Sequence, residues 1–215
     1  MRPGATREPD SERARGFRRL TGIDRSGPRP RQTRRGQPLR PWTIPNLVGY
    51  LRLASIPVFL YLALGSGDGR DPAATILYFW IVVGDYVDGF LARATGQYSR
   101  LGALMDPVID RLATLSGAVV CWHFELLPRW AVVALIVREL ATLGLARLAL
   151  RRGLEIEISW VGRVGTFLVF TGLFWTLVLD WWVTVAIFIA GVAVASYATV
   201  LYALAGLRSA PAGEG

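Results

Sequence analysis

Residues 73–110 read AATILYFWIVVGDYVDGFLARATGQYSRLGALMDPVID. An apolar run ends in two acids, Asp85 and Asp88. A polar turn follows over Thr95–Leu101, and the next apolar run opens on Asp106 and Asp110. Both runs approach the roughly 20 residues that a bilayer-spanning helix needs. Asp85 and Asp88 stand three apart, Asp106 and Asp110 four apart, so each pair shares one face of its helix. Two consecutive antiparallel helices joined by that turn therefore bring four carboxylates to one level. An ionised Asp at the centre of a membrane helix costs about 2.5–3.5 kcal/mol, and less near the interface. Four of them together demand a chemical reason.

The rest of the chain repeats the apolar pattern. Runs at about 45–64, 73–92, 103–124, 129–150, 161–179 and 182–205 predict an all-α integral membrane bundle of six transmembrane helices. Hydrophobic residues make up 53% of the 215 and charged ones 19%. Soluble domains carry about 25% charge, so neither a disordered chain nor an ordinary cytosolic enzyme fits. Pro57 predicts a kink in the first helix. Trp42, between Pro41 and Pro45, reads as an interfacial anchor. Trp122, Trp130, Trp160, Trp175, Trp181 and Trp182 read as aromatic belt. Cys121 reads as a small core hydrophobe, and one histidine, His123, gives no basis for a histidine metal cage or triad.

The net charge of +8 belongs to the first 40 residues, which hold 12 Arg against Glu8, Asp10, Glu12 and Asp24. That segment carries one Phe, no Tyr or Trp and no nucleic-acid-binding motif. It reads as a disordered basic arm at an anionic membrane face, with no nucleic-acid partner. The expected organisation is an arm over 1–41, a membrane domain over 42–207 and a flexible C-terminus over 208–215. No apolar stretch precedes about residue 44, so no cleavable signal peptide is expected. With the N-terminus in the cytoplasm, Arg93, Arg100, Arg147, Arg151, Arg152 and Arg208 fall at cytoplasmic ends, and only Arg70 and Arg129 fall outside. This positive-inside pattern places both termini inside and the acids at the cytoplasmic face of a multi-pass cell-membrane protein.

Four converging carboxylates repel one another unless cations lie between them. Oxygen ligands alone suit a hard ion, Mg²⁺ or Mn²⁺, and four carboxylates suffice for two ions. A two-ion site clamps the attacking and leaving oxygens of a phosphoryl transfer. Arg93, Arg100 and Arg111 lie beside the acids in sequence as phosphate ligands. Gly84, Gly89 and Gly102 would let a bulky ligand approach the backbone. Asn46 reads as an N-cap, with a ligand role open to it. Glu155 and Glu157 read as solvated loop acids.

Asp85–Asp110 resembles the signature of the CDP-alcohol phosphatidyltransferases, D-x-x-D-G-x-x-A-R, about eight residues, then G-x-x-x-D-x-x-x-D. The fixed positions are Asp85, Asp88, Gly89, Ala92, Arg93, Gly102, Asp106 and Asp110. The resemblance implies transfer of a phosphatidyl group from CDP-diacylglycerol to an alcohol, with release of CMP. It implies that Asp85, Asp88 and Asp106 hold the metals, and that Asp110 completes the site and is the catalytic base. Gly89, Ala92, Arg93 and Gly102, with Asn46, would meet the CDP portion. The family resemblance also implies a homodimer.

Thr43–Arg52 (TIPNLVGYLR), Leu104–Arg111 (LMDPVIDR) and Val137–Leu140 (VREL) resemble the phosphatidylglycerophosphate synthase and eukaryote-like cardiolipin synthase branch. Gly162–Thr166 resembles a G-K-x-x-T segment of that branch, with Arg163 in place of Lys. The resemblance makes Arg138 and Arg163, with Arg111, acceptor-phosphate ligands. It puts glycerol 3-phosphate first as acceptor and phosphatidylglycerol, giving cardiolipin, second. The competing class is a cation transporter, which would spread its acids through the membrane depth; a membrane scaffold would have dispensable acids.

Overall fold

The computed structural model describes residues 38–151 and 160–208. These form six α-helices and no strand: α1 (Ile44–Gly65), α2 (Pro72–Thr95), α3 (Arg100–His123), α4 (Arg129–Arg151), α5 (Trp160–Val178) and α6 (Trp182–Arg208). Most of the basic arm, the loop acids Glu155 and Glu157, and 209–215 lie outside the described residues.

The first three helices start for local reasons. Asp71 caps α2, its side chain accepting from Ala74 N at 2.7 Å, and Pro72 takes the first helical position. Ser99 caps α3, its Oγ accepting from Gly102 N at 2.9 Å. Gly96, at φ 67°, follows the last residue of α2 in the left-handed conformation that ends helices. The expectation that Asn46 caps α1 is corrected. Thr43 does so through Oγ1, 3.4 Å from Asn46 N, which leaves the Asn46 amide for other work. Pro57 lies inside α1 and Pro107 inside α3, and both helices run on through them.

Among the described residues, four helical stretches are long and apolar enough to cross a membrane: Ile44–Gly65, Pro72–Thr95, Trp160–Val178 and Trp182–Leu204. The protein is accordingly a membrane protein. α3 and α4 have 24 and 23 residues but carry internal charge, Asp106, Asp110 and Arg111 in one and Arg138 and Glu139 in the other.

The chain divides into two compact units, and all three of the first helices contribute to both. Of the described residues, the first unit takes 38–55 and Trp80–Asp110; the second takes Ile56–Phe79, 111–151 and 160–208. In the second unit, α5 and α6 touch backbone to backbone. A Cβ on Gly165 would lie 2.5 Å from Ala195 N, one on Gly172 2.6 Å from Phe188 Cα, and one on Gly191 2.6 Å from Val169 N. Small residues at a seam are how membrane helices gain dispersion contact where lipid supplies no hydrophobic drive. Phe59 and Tyr78 pack with ring centroids 4.9 Å apart and planes tilted by 38° within the same unit, and Cys121 is fully buried, as the sequence implied. The six belt tryptophans and Trp42 are all exposed.

Candidate active site

The first unit holds all four acids. Its centre is a residue the sequence reading did not single out. Arg52, on α1, is 1% exposed. Its Nη1 donates to Asp88 Oδ2 at 2.9 Å and lies 3.6 Å from Asp85 Oδ1. Its Nη2 donates to Asp110 Oδ1 at 3.0 Å, and its Nε to the Ile81 carbonyl at 2.9 Å. One guanidinium thus joins carboxylates of α2 and α3. The signal was available: a lone Arg inside an apolar helix needs a counter-ion. Gly84 makes room for it, since a Cβ there would lie 2.6 Å from Arg52 Cδ. The expectation that Gly84 admits a ligand is therefore corrected; it admits Arg52.

Beside Asp88 lies a cavity of about 170 Å³. Its walls include Asn46, Asp88, Gly89, Ala92, Arg93, Ser99, Gly102 and Asp106. Every residue that the resemblance gives to the CDP portion is in that wall, with two of the four acids. Arg93 folds its guanidinium over Gly89, its Nη1 3.3 Å from where a Cβ would be. Asp85 and Asp110 are half-exposed, whereas Asp88 is buried.

The cavity has a tied rim. Asn46, 2% exposed, donates from Nδ2 to the carbonyls of Arg40 (3.0 Å) and Pro41 (3.1 Å). Its Oδ1 accepts from Ser99 Oγ at 2.7 Å. Gln97 Oε1 accepts from Ile44 N at 3.1 Å, and Leu39 O from Leu101 N at 3.3 Å. Residues 39–46 are thereby fastened to the α2–α3 turn. Gly102 is bare for the same reason, because a Cβ would sit 2.8 Å from Asn46 Oδ1.

The residues read as acceptor ligands lie in the second unit. Arg111 Nη1 donates to Glu139 Oε2 at 2.9 Å, and Arg138 donates to Glu139 Oε1. Glu139 is buried, and its one carboxylate is shared by two arginines, which leaves the three side chains with a net charge of +1. Arg163 is exposed on α5.

The sequence model of the CDP-alcohol phosphatidyltransferase family matches residues 42–202. The chain belongs to that family. A Streptomyces coelicolor relative named cardiolipin synthase (CMP-forming) is 36% identical over 182 residues, 82% of this chain and 85% of its own. An Escherichia coli relative named CDP-diacylglycerol–glycerol-3-phosphate 3-phosphatidyltransferase is 30% identical over 166 residues, 74% of this chain and 88% of its own. A Mycobacterium tuberculosis relative, provisionally named as a cardiolipin synthase, is 38% identical over 126 residues, 58% of this chain and 59% of its own. The match to the mycobacterial relatives thus spans about 59% of their length.

The family generally depends on a divalent metal. Among the described residues, no three acids, histidines or cysteines stand grouped closely enough to hold one metal ion. The donor set nonetheless suits a hard cation: it is all oxygen, drawn from two helices, and three of its carboxylates already gather round a positive charge, that of Arg52.

Proposed function

We propose that this protein transfers a phosphatidyl group from CDP-diacylglycerol to the hydroxyl of an alcohol. The acceptor oxygen attacks the phosphatidyl phosphorus, the bond from that phosphorus to the CMP oxygen breaks, and CMP leaves. The observation that carries the reading is the cavity whose wall unites Asn46, Gly89, Ala92, Arg93 and Gly102 with Asp88 and Asp106. Its volume suits part of a nucleotide, with the lipid chains left in the bilayer; pockets that enclose a whole drug-sized ligand run to about 300–1,000 Å³.

Asp85, Asp88, Asp106 and Asp110 are assigned to two Mg²⁺ or Mn²⁺ ions, which when bound supply charge neutralisation at the pyrophosphate. Asp110 is assigned the acceptor proton. Arg52 anchors it at Oδ1, and its half-exposed side chain is accessible to a hydroxyl. Arg93 is assigned the phosphate oxygens, held over the bare backbone of Gly89 so that charge is in place before reaction. Arg111, Arg138 and Arg163 are assigned to the acceptor.

Two acceptors are open. The Streptomyces coelicolor name favours phosphatidylglycerol, giving cardiolipin. The pairing of Arg111 and Arg138 with one Glu139 supports it, since a phosphodiester needs less positive charge than a phosphate monoester. The Escherichia coli name favours glycerol 3-phosphate. A cation transporter is a poorer reading, because Asp85, Asp88 and Asp110 gather round the one guanidinium of Arg52 instead of being spread along a path.

Six membrane spans with both termini in the cytoplasm complete the proposal. α3 and α4 are long enough to cross, at roughly 1.5 Å per residue. Of their internal charges, Asp110 pairs with Arg52 and both Arg111 and Arg138 with Glu139, which lowers the cost of burying those groups. Of the two arginines on the opposite side, Arg70 pairs with Asp180 at 3.3 Å and Arg129 with Glu125 at 2.5 Å, so neither adds net charge there. The domain organisation proposed is the arm at 1–41, the membrane domain at 42–207 and a short tail, in a homodimer of the cell membrane.

The test is purified full-length protein with CDP-diacylglycerol, Mg²⁺ or Mn²⁺, and either acceptor, following CMP and lipid product. Metal-dependent CMP release with phosphatidylglycerol alone makes it a cardiolipin synthase. Release with glycerol 3-phosphate makes it a phosphatidylglycerophosphate synthase. No release with any alcohol overturns the reading.

A further inference from the structure

We propose that Arg52 is a positioning residue that assembles the metal-binding carboxylates before any cation arrives. The inference rests on the assignment of Asp88 and Asp110 as metal ligands. Those acids lie on different helices and repel each other, so without a cation between them the pair would open. Arg52 supplies that cation from within the fold. Its planar fork meets Asp88 at 2.9 Å and Asp110 at 3.0 Å, one nitrogen each, with Asp85 3.6 Å away. The third donor, Nε, is spent on the Ile81 carbonyl, which fixes the plane of the fork. The side chain is fully buried and its stem runs across bare Gly84. Guanidinium geometry, not only charge, does the joining; an ammonium on a flexible stem makes neither the fork nor the Nε anchor.

Arg52 sets one oxygen of each acid. Partners that orient metal-ligating carboxylates typically change metal affinity 10- to 100-fold when lost. The opposite role is also physically possible: a buried cation beside a metal site competes with the metal by repulsion. The two roles differ in sign, so one measurement separates them.

The experiment is Mn²⁺ binding to the purified full-length protein, without lipid substrate, followed by electron paramagnetic resonance of free Mn²⁺. Wild type is compared with Arg52→Lys and Gly84→Ala. Arg52→Lys keeps the charge and loses the fork. Gly84→Ala keeps every charged group and pushes a Cβ to 2.6 Å from Arg52 Cδ, displacing the fork from outside. Both variants are expected to weaken Mn²⁺ binding about 10-fold or more. In turnover assays they should raise the metal concentration for half-maximal rate by a similar factor and leave the acceptor KM unchanged. Unchanged or tighter Mn²⁺ binding in the variants overturns the proposal, as does a wild type that binds no Mn²⁺. If Arg52→Lys fails to fold, Gly84→Ala decides alone, by the same reading of Mn²⁺ affinity. Because binding is read without CDP-diacylglycerol, a wild type that binds Mn²⁺ but releases no CMP defeats the proposed reaction and not the role of Arg52.

Discussion

Asn46 Oδ1 accepts a 2.7 Å hydrogen bond from Ser99 Oγ, across 53 positions of chain. With the two bonds from Asn46 Nδ2 to the carbonyls of Arg40 and Pro41, it ties the segment before α1 to the cap of α3. Asn46→Ala removes all three bonds and is expected to cost about 1–3 kcal/mol, the range for leaving buried polar groups unpaired. Ser99→Ala removes the cap as well and should cost about 0.5–2 kcal/mol. Thermal denaturation in detergent checks both. The double variant should lose less than the sum, because both changes break the same bond. Strict additivity would mean that the bond contributes nothing.

Gly102→Ala tests the same wall from the other side. The new Cβ meets Asn46 Oδ1 at 2.8 Å and Ser99 Oγ at 3.1 Å, both held by other bonds and slow to yield. The expected result is a KM for CDP-diacylglycerol raised about 10-fold, equivalent to about 1.4 kcal/mol of lost binding. Gly144→Ala is the control: nothing lies within 4 Å of a Cβ there. In a helix interior it should be neutral or stabilising by about 0.5–1 kcal/mol. Steady-state kinetics and a melting curve on both proteins separate a local wall effect from a general one.

What the sequence made legible follows from what is local. The six helices fall within about three residues of the apolar runs, because run length and capping residues such as Asp71 are chain-local signals. The acid pairs were legible because i,i+3 and i,i+4 spacing needs no tertiary knowledge. Arg52 escaped because its partners lie 36 and 58 positions away. The same blindness misread Gly84, whose empty side is taken by Arg52, and Asn46, whose amide reaches Ser99 rather than capping its own helix. The pairing of Glu139 with Arg111 was hidden in the same way, since it spans 28 positions.

Asp110→Asn separates catalysis from architecture. The amide keeps an oxygen where Asp110 Oδ1 accepts from Arg52 Nη2, so insertion and helix content should be unchanged. The amide cannot take a proton from the acceptor. CMP release is expected to fall about 10²- to 10⁴-fold, the usual contribution of a general base. Circular dichroism and a CMP assay on the same preparation check the two halves. Full activity in the variant would remove Asp110 from the role of base.

Glu139→Gln addresses the acceptor. Wild-type Glu139 is shared by Arg111 and Arg138, whose side chains are 25% and 13% exposed. The glutamine keeps the shape and removes the charge, leaving two largely buried arginines without a counter-ion. Breaking a fully buried pair costs about 3–5 kcal/mol, and partial exposure puts this case at or below the lower end of that range. A lowered melting midpoint is the first expected outcome. The second concerns selectivity. Two arginines freed from their carboxylate attract a phosphate monoester more than a phosphodiester, because the monoester carries the larger negative charge. The ratio of kcat/KM for glycerol 3-phosphate to that for phosphatidylglycerol should therefore rise in Glu139→Gln. An unchanged ratio, in a protein that has lost stability as expected, would mean that Arg111 and Arg138 brace the helices and do not meet the acceptor.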